Sequence, residues 1–123
     1  MAEEGFRALT EAMRQATAAH GHEPLGRFRA LGLSYIRFAV SHPAHFRVMF
    51  GREIADKSPH PDLLDAAAVT FGLLVEGLAG CQRAGLAREG DPAELAISAW
   101  AAVHGLSALL LDGQLGPWDQ ERV

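Results

Sequence analysis

The stretch GDPAELAISAWAAVHGLSALLLDG, residues 90–113, decides the fold. Asp91 stands as an N-cap. Pro92 takes the first helical position, where its missing N–H costs nothing, and Glu94 sits at the third, a close relative of the capping box. From Leu95 to Leu111 no Asp, Glu, Lys or Arg occurs. A membrane-spanning helix needs about 20 mainly apolar residues, and this shorter run is interrupted by two Ser, a His and a Gly. It therefore reads as a helix buried in protein, with no membrane partner. Its apolar residues occupy opposite faces. Leu95, Ala99, Ala102, Leu106 and Leu109 share one, while Ile97, Trp100, His104 and Leu111 share the other.

Working outward, the same punctuation recurs upstream. GHEP at 21–24, SHP at 41–43 and SPHPD at 58–62 each place a Pro where a helix can begin. Five helical segments follow. In the first, Phe6, Leu9, Met13, Ala16 and His20 recur at spacings of three and four, with Arg7, Glu11 and Arg14 elsewhere. The second, Pro24 to Ser41, carries a stripe of Phe28, Leu31, Tyr35 and Phe38 that continues to His42, with Arg27, Ser34 and Arg37 off it. A short third, Pro43 to about Phe50, presents Phe46, Met49 and Phe50, and the polar loop GREIADKSPHP (51–61) follows. The fourth, Asp62 to about Ala84, confines Asp65, Glu76 and Arg83 to one narrow stripe and is otherwise almost wholly apolar or Gly. No run has the strand period.

Two long helices that are apolar on opposite faces cannot both be covered by three other helices of this size. A second copy of the chain is the simplest cover, the long helices packing against their symmetry mates. Gly72, Gly77, Gly80, Ala99 and Ala102 permit close approach there, and Leu73, Leu106 and Leu109 complete the expected dimer interface. The expectation is an all-α fold of about five helices forming one domain, residues 1–123, with the last two helices building a four-helix interface between protomers. Residues after Gly113 read as an exposed tail on which Trp118 could dock.

The block YIRFAVSHPAHFRVMF (35–50), followed by two long apolar helices of which the second reads WAAVHGL (100–106), resembles the C-terminal domain of the tetracycline-repressor (TetR) family, in the subgroup named for its Trp-His-Gly signature. Trp100, His104 and Gly105 match the signature; Tyr35, Phe38, Ala39, His42, Pro43, Phe46, Met49 and Phe50 match the preceding helix-Pro-helix block. The resemblance implies an effector-binding and dimer-forming domain of a transcriptional regulator, here read as a repressor. In such regulators a helix-turn-helix headpiece reads the major groove. Residues 1–20 resemble the helix leading out of that headpiece, and too little chain precedes them to hold it. Any DNA contact is thus expected only through a headpiece outside this chain.

The effector is expected to be a small apolar or amphipathic molecule in a wall of aromatic side chains with a few polar tips. Tyr35, Phe38, His42, Phe46, Met49, Phe50, Phe71, Trp100 and His104 are its candidate contacts. Trp100 and His104, four residues apart, share a helix face and can offer N–H groups; the plain alternative is that both fill the core, their polar atoms bonded to neighbouring groups. The composition sets the remaining bounds. Eleven basic against fifteen acidic residues, net charge −4, leave no phosphate-binding cluster. A lone cysteine, Cys81, excludes an internal disulfide and suits a reducing cytoplasm, where its role is packing. The start MAEEGF lacks the pattern of a secretory signal. The pairs His20/His22 and His42/His45 have no sequence-local third ligand, so no metal or other cofactor is expected. There is no G-x-S-x-G elbow, phosphate-cradling Gly loop or H-E-x-x-H, so no enzyme is expected. The competing reading is a freestanding helical protein-interaction module.

Overall fold

The computed structural model describes residues 2–50 and 61–116. They form α1 (Ala2–Ala18), α2 (Pro24–Ser41), α3 (Pro43–Met49), α4 (Pro61–Arg83) and α5 (Pro92–Leu111). These are the five expected segments, with no strand among the described residues. Most of the polar loop at 51–61, and Trp118 in the tail, lie outside the described residues.

Each boundary has a local cause. Pro24, Pro43 and Pro92 open their helices at N1. Asp91 caps α5 as its sequence position requires, its Oδ1 accepting from the Ala93 N–H at 2.9 Å. α4 and α5 end alike. Gly85 and Gly113 take φ of +74° and +71°, the left-handed region open to glycine. The next N–H groups reach back five residues, Leu86 to the Cys81 carbonyl at 2.8 Å and Gln114 to that of Leu109 at 3.0 Å. This is the Schellman arrangement. Between the two helices, Gln82 Nε2 donates to the carbonyls of Arg88 and Gly90, fixing the turn.

α2 is the hub, packing against all four other helices. It buries Leu31, Tyr35, Phe38 and Ala39 in one core with Phe6, Leu9 and Met13 of α1, Phe46 and Met49 of α3, Leu74 and Leu78 of α4, and Ala96 of α5. α1 follows the expected three-and-four stripe as far as Met13. It ends at Ala18, so His20 leaves the stripe and is exposed. α3 is seated by Gly5, where a Cβ would lie 2.6 Å from Met49 Cγ and Sδ. α1 and α4 share buried polar contacts at Thr70, whose Oγ1 lies 2.7 Å from Thr10 Oγ1 and 3.5 Å from the Phe6 carbonyl.

The long helices are only partly covered. α5 buries just Ala96 and Ser107. Both α4 and α5 are long and apolar enough to cross a membrane by length and composition, but α4 keeps Asp65, Glu76 and Arg83 exposed along one side. The outward surface differs in rotation from the expected one. Ile97, placed by periodicity beside Trp100, is 56% exposed, while Ala102 and Leu109 are exposed as expected and Ala99 and Leu106 are half-buried. On α4 the expected interface residues Leu73, Gly77 and Gly80 line an open groove shared with Thr17 of α1 and with Pro24, Arg27 and Leu31 of α2. Gly77 does allow a close approach, but to its own α2: a Cβ there would lie 2.8 Å from Leu31 Cδ1. The long-helix glycines with open space before them are Gly72 and Gly105. The physical reason is that a helix apolar nearly all round has no polar face to orient it.

Candidate functional site

Tyr35 lies at the centre of the bundle, 1% exposed. A buried phenol needs hydrogen-bond partners, and both come from α5. Trp100 Nε1 donates to Tyr35 Oη at 2.9 Å, and Tyr35 Oη lies 2.8 Å from His104 Nδ1. An indole N–H can only donate, so Tyr35 accepts from Trp100. The arrangement that also satisfies the buried phenol proton has it donate to His104 Nδ1, with that ring neutral and protonated on Nε2. Burial favours the same states. It lowers the His104 pKa below its usual 6.5 and raises that of Tyr35 far above the ordinary phenol value, against the smaller opposing effect of the Trp100 bond. The Trp-and-His spacing of α5 thus serves one tyrosine on α2.

Around this chain the aromatic rings pack closely. His104 stands 4.6 Å from Phe50 and 5.2 Å from Phe46, centroid to centroid. Phe50 meets Phe6 edge-on at 5.3 Å, and Phe71 lies 6.1 Å from Trp100. Between them is a cavity of about 60 Å³. Its walls are Phe6 of α1, Tyr35 of α2, Phe50 at the end of α3, Ala67, Thr70, Phe71 and Leu74 of α4, and Trp100 of α5. A water molecule occupies about 30 Å³ of liquid, and ligand pockets run from roughly 300 Å³ upward. As it stands the space is far smaller than a ligand pocket and holds only solvent-sized occupants.

The nine sequence candidates divide accordingly. Tyr35, Phe50, Phe71 and Trp100 line the cavity. Phe46 and His104 form the ring shell behind it. Met49 is fully buried against Gly5 in the contact between α1 and α3. Phe38 and His42 stack on each other at 4.7 Å and line a separate open groove of about 280 Å³ between α1 and α2. His42 follows the end of α2, at φ −130° and ψ 60°, so the helical period no longer places it beneath Tyr35. Four cavity residues were not among the candidates: Phe6, Ala67, Thr70 and Leu74. Phe6 begins the α1 stripe, and Thr70 and Leu74 follow Ala67 at the three-and-four spacing of one helix face, which is the signal that points to them.

Other chemistry is sparse. Among the described residues no three His, Cys, Asp or Glu side chains converge as a metal site would require. Cys81 is buried, its thiol donating to the Pro24 carbonyl at 3.5 Å, and burial pushes its pKa up. It packs within the protomer, between α4 and the start of α2.

Comparison with known proteins agrees with this geometry. The family described as tetracyclin repressor-like, C-terminal domain, matches residues 28–123. No curated protein matches the sequence. A solved structure of a protein with unknown function from Rhodococcus sp. RHA1 is similar at a TM-score of 0.87 and 29% identity, over 98% of this chain and 62% of that one. This chain therefore spans less than two thirds of that protein's length.

Proposed function

The chain belongs to the tetracyclin repressor-like C-terminal domain family, and from that premise we propose that it is the effector-binding and dimerisation part of a transcriptional repressor of the cytoplasm. The observation that carries the effector half is the cavity, because Phe6 of α1 forms part of its wall together with residues from α2, α4, α5 and the end of α3. A molecule larger than about 60 Å³ can enter only by moving these aromatic side chains apart. Phe6 would carry that movement into α1, the helix that in this reading leads to the DNA-reading headpiece. The domain itself performs no catalysis in this role.

The dimerisation half rests on the uncovered face of α5, with Ile97, Ala102 and Leu109 exposed and Gly105 open; Gly72 of α4 also has open space before it. A second copy meeting this face gives the isologous four-helix contact. Sedimentation and native mass spectrometry of the full chain at micromolar concentration test both halves. A dimer that carries an added small-molecule mass is the expected result. A monomer sinks the dimer reading and favours a helical module whose apolar face meets a different chain.

A further inference from the structure

We propose that the cavity beneath Tyr35 recognises an uncharged, single-ring aromatic molecule, and that the Trp100–Tyr35–His104 hydrogen-bond chain makes it reject ionised analogues of the same shape. This deepens the effector reading and rests on it.

The argument starts from the donors and acceptors in the wall. Trp100 has spent its N–H on Tyr35, and Tyr35 its proton on His104. Thr70 Oγ1 lies 3.1 Å from the Ala66 carbonyl and 2.7 Å from Thr10 Oγ1. Both hydroxyls are satisfied when Thr10 donates to Thr70 and Thr70 donates to Ala66. The remaining lining is Phe6, Phe50, Ala67, Phe71 and Leu74, with no charged side chain. A carboxylate entering here would lose its water and meet no free N–H or O–H. It could gain one only by breaking the chain at Tyr35 or by turning the Thr70 hydroxyl away from the Ala66 carbonyl, giving up a buried hydrogen bond in either case. A cation would find aromatic rings but no carboxylate among the lining residues, and contact with rings offsets only part of its lost hydration. A neutral ring leaves the chain intact and exchanges water for aromatic surface.

Size points the same way. An apolar cavity of about 150 Å³ holds benzene, and the closed space of about 60 Å³ falls short of that. Phe71 is only half-buried and packs its ring on Trp100. Swinging that one phenyl ring outward would add about a phenyl ring's volume to the space, and a ring seated there presses on Phe6 of the opposite wall.

The test uses four probes on one ring: toluene, phenol, benzoate and benzyltrimethylammonium. Each is titrated into the full chain carrying Trp118→Phe, so that Trp100 emission reports the cavity. Toluene and phenol are expected to bind, with benzoate and the ammonium at least about a hundredfold weaker. Ala67→Leu, which fills the cavity, is expected to abolish toluene binding with the helical signal retained. Leu74→Ala, which enlarges it, is expected to admit naphthalene, and it keeps the test open should Ala67→Leu fail to fold. Equal or tighter binding of either ion overturns the assigned ligand class and leaves the effector site standing. If no probe binds either wild-type lining or Leu74→Ala, the effector reading falls with it.

Discussion

Tyr35 is the residue on which most of the site depends, because its hydroxyl satisfies two groups on another helix. Tyr35→Phe keeps the ring and strands the Trp100 N–H and His104 Nδ1, each only half-buried. The expected loss of unfolding free energy in urea is about 1–3 kcal/mol. His104 gives a pH signature. Its folded pKa is lowered below 6.5 by burial, so below that value the unfolded chain binds the extra proton more readily. Its contribution to stability is complete above about pH 6.5 and is lost as pH falls from there towards the lower folded value. His104→Asn retains an acceptor for Tyr35 but cannot titrate in this range. Relative to wild type, its stability is therefore expected to vary less with pH across that window, as measured by urea midpoints from pH 7 downward. An unchanged slope would place the titration elsewhere.

At the scale of the helix, caps and punctuation made the element borders readable before any coordinates. Asp91, Pro92 and Gly113 behave as their types require, and Asp91→Ala is expected to cost about 1 kcal/mol in a urea titration by removing the bond to the Ala93 N–H. Orientation about the helix axis was less readable. On α1, where Arg7, Glu11 and Arg14 mark the outside, the buried stripe was correct up to Met13. On α5 no charged residue marks a side from Leu95 to Leu111, and Ile97, which periodicity groups with Trp100, faces out. α2 raises a different difficulty. It is packed on several sides, so its single aromatic stripe serves two neighbourhoods: Tyr35 reaches the cavity under α4 and α5, while Phe38 borders the groove beside α1. Half of the cavity lining was legible because Tyr35, Phe50, Phe71 and Trp100 are large aromatic residues in otherwise aliphatic surroundings. The rest, Phe6, Ala67, Thr70 and Leu74, carry only the helical spacing that any core-facing residue shares.

For the whole molecule, glycine offers a test of what covers the long helices. Gly72 and Gly105 face open space in the protomer, and neither has positive φ. Considered alone, each Gly→Ala change should favour its helix by up to about 1 kcal/mol. In a dimer that meets on this face, the added methyl groups enter the contact. Gly72→Ala and Gly105→Ala are therefore expected to resist urea better as dilute monomers yet dissociate at higher protein concentration than wild type, as followed by sedimentation. Stabilisation without a change in association would place the second copy elsewhere. A different consequence belongs to the Thr10–Thr70 pair, a buried polar bond in the seam between α1 and α4. Apolar side chains can creep past one another by fractions of an ångström, but a buried hydroxyl pair is either engaged or stranded. Under the effector reading proposed above, the seam therefore has a detent: in each molecule α1 is either seated or slipped, and rising ligand changes how many molecules have slipped, not how far.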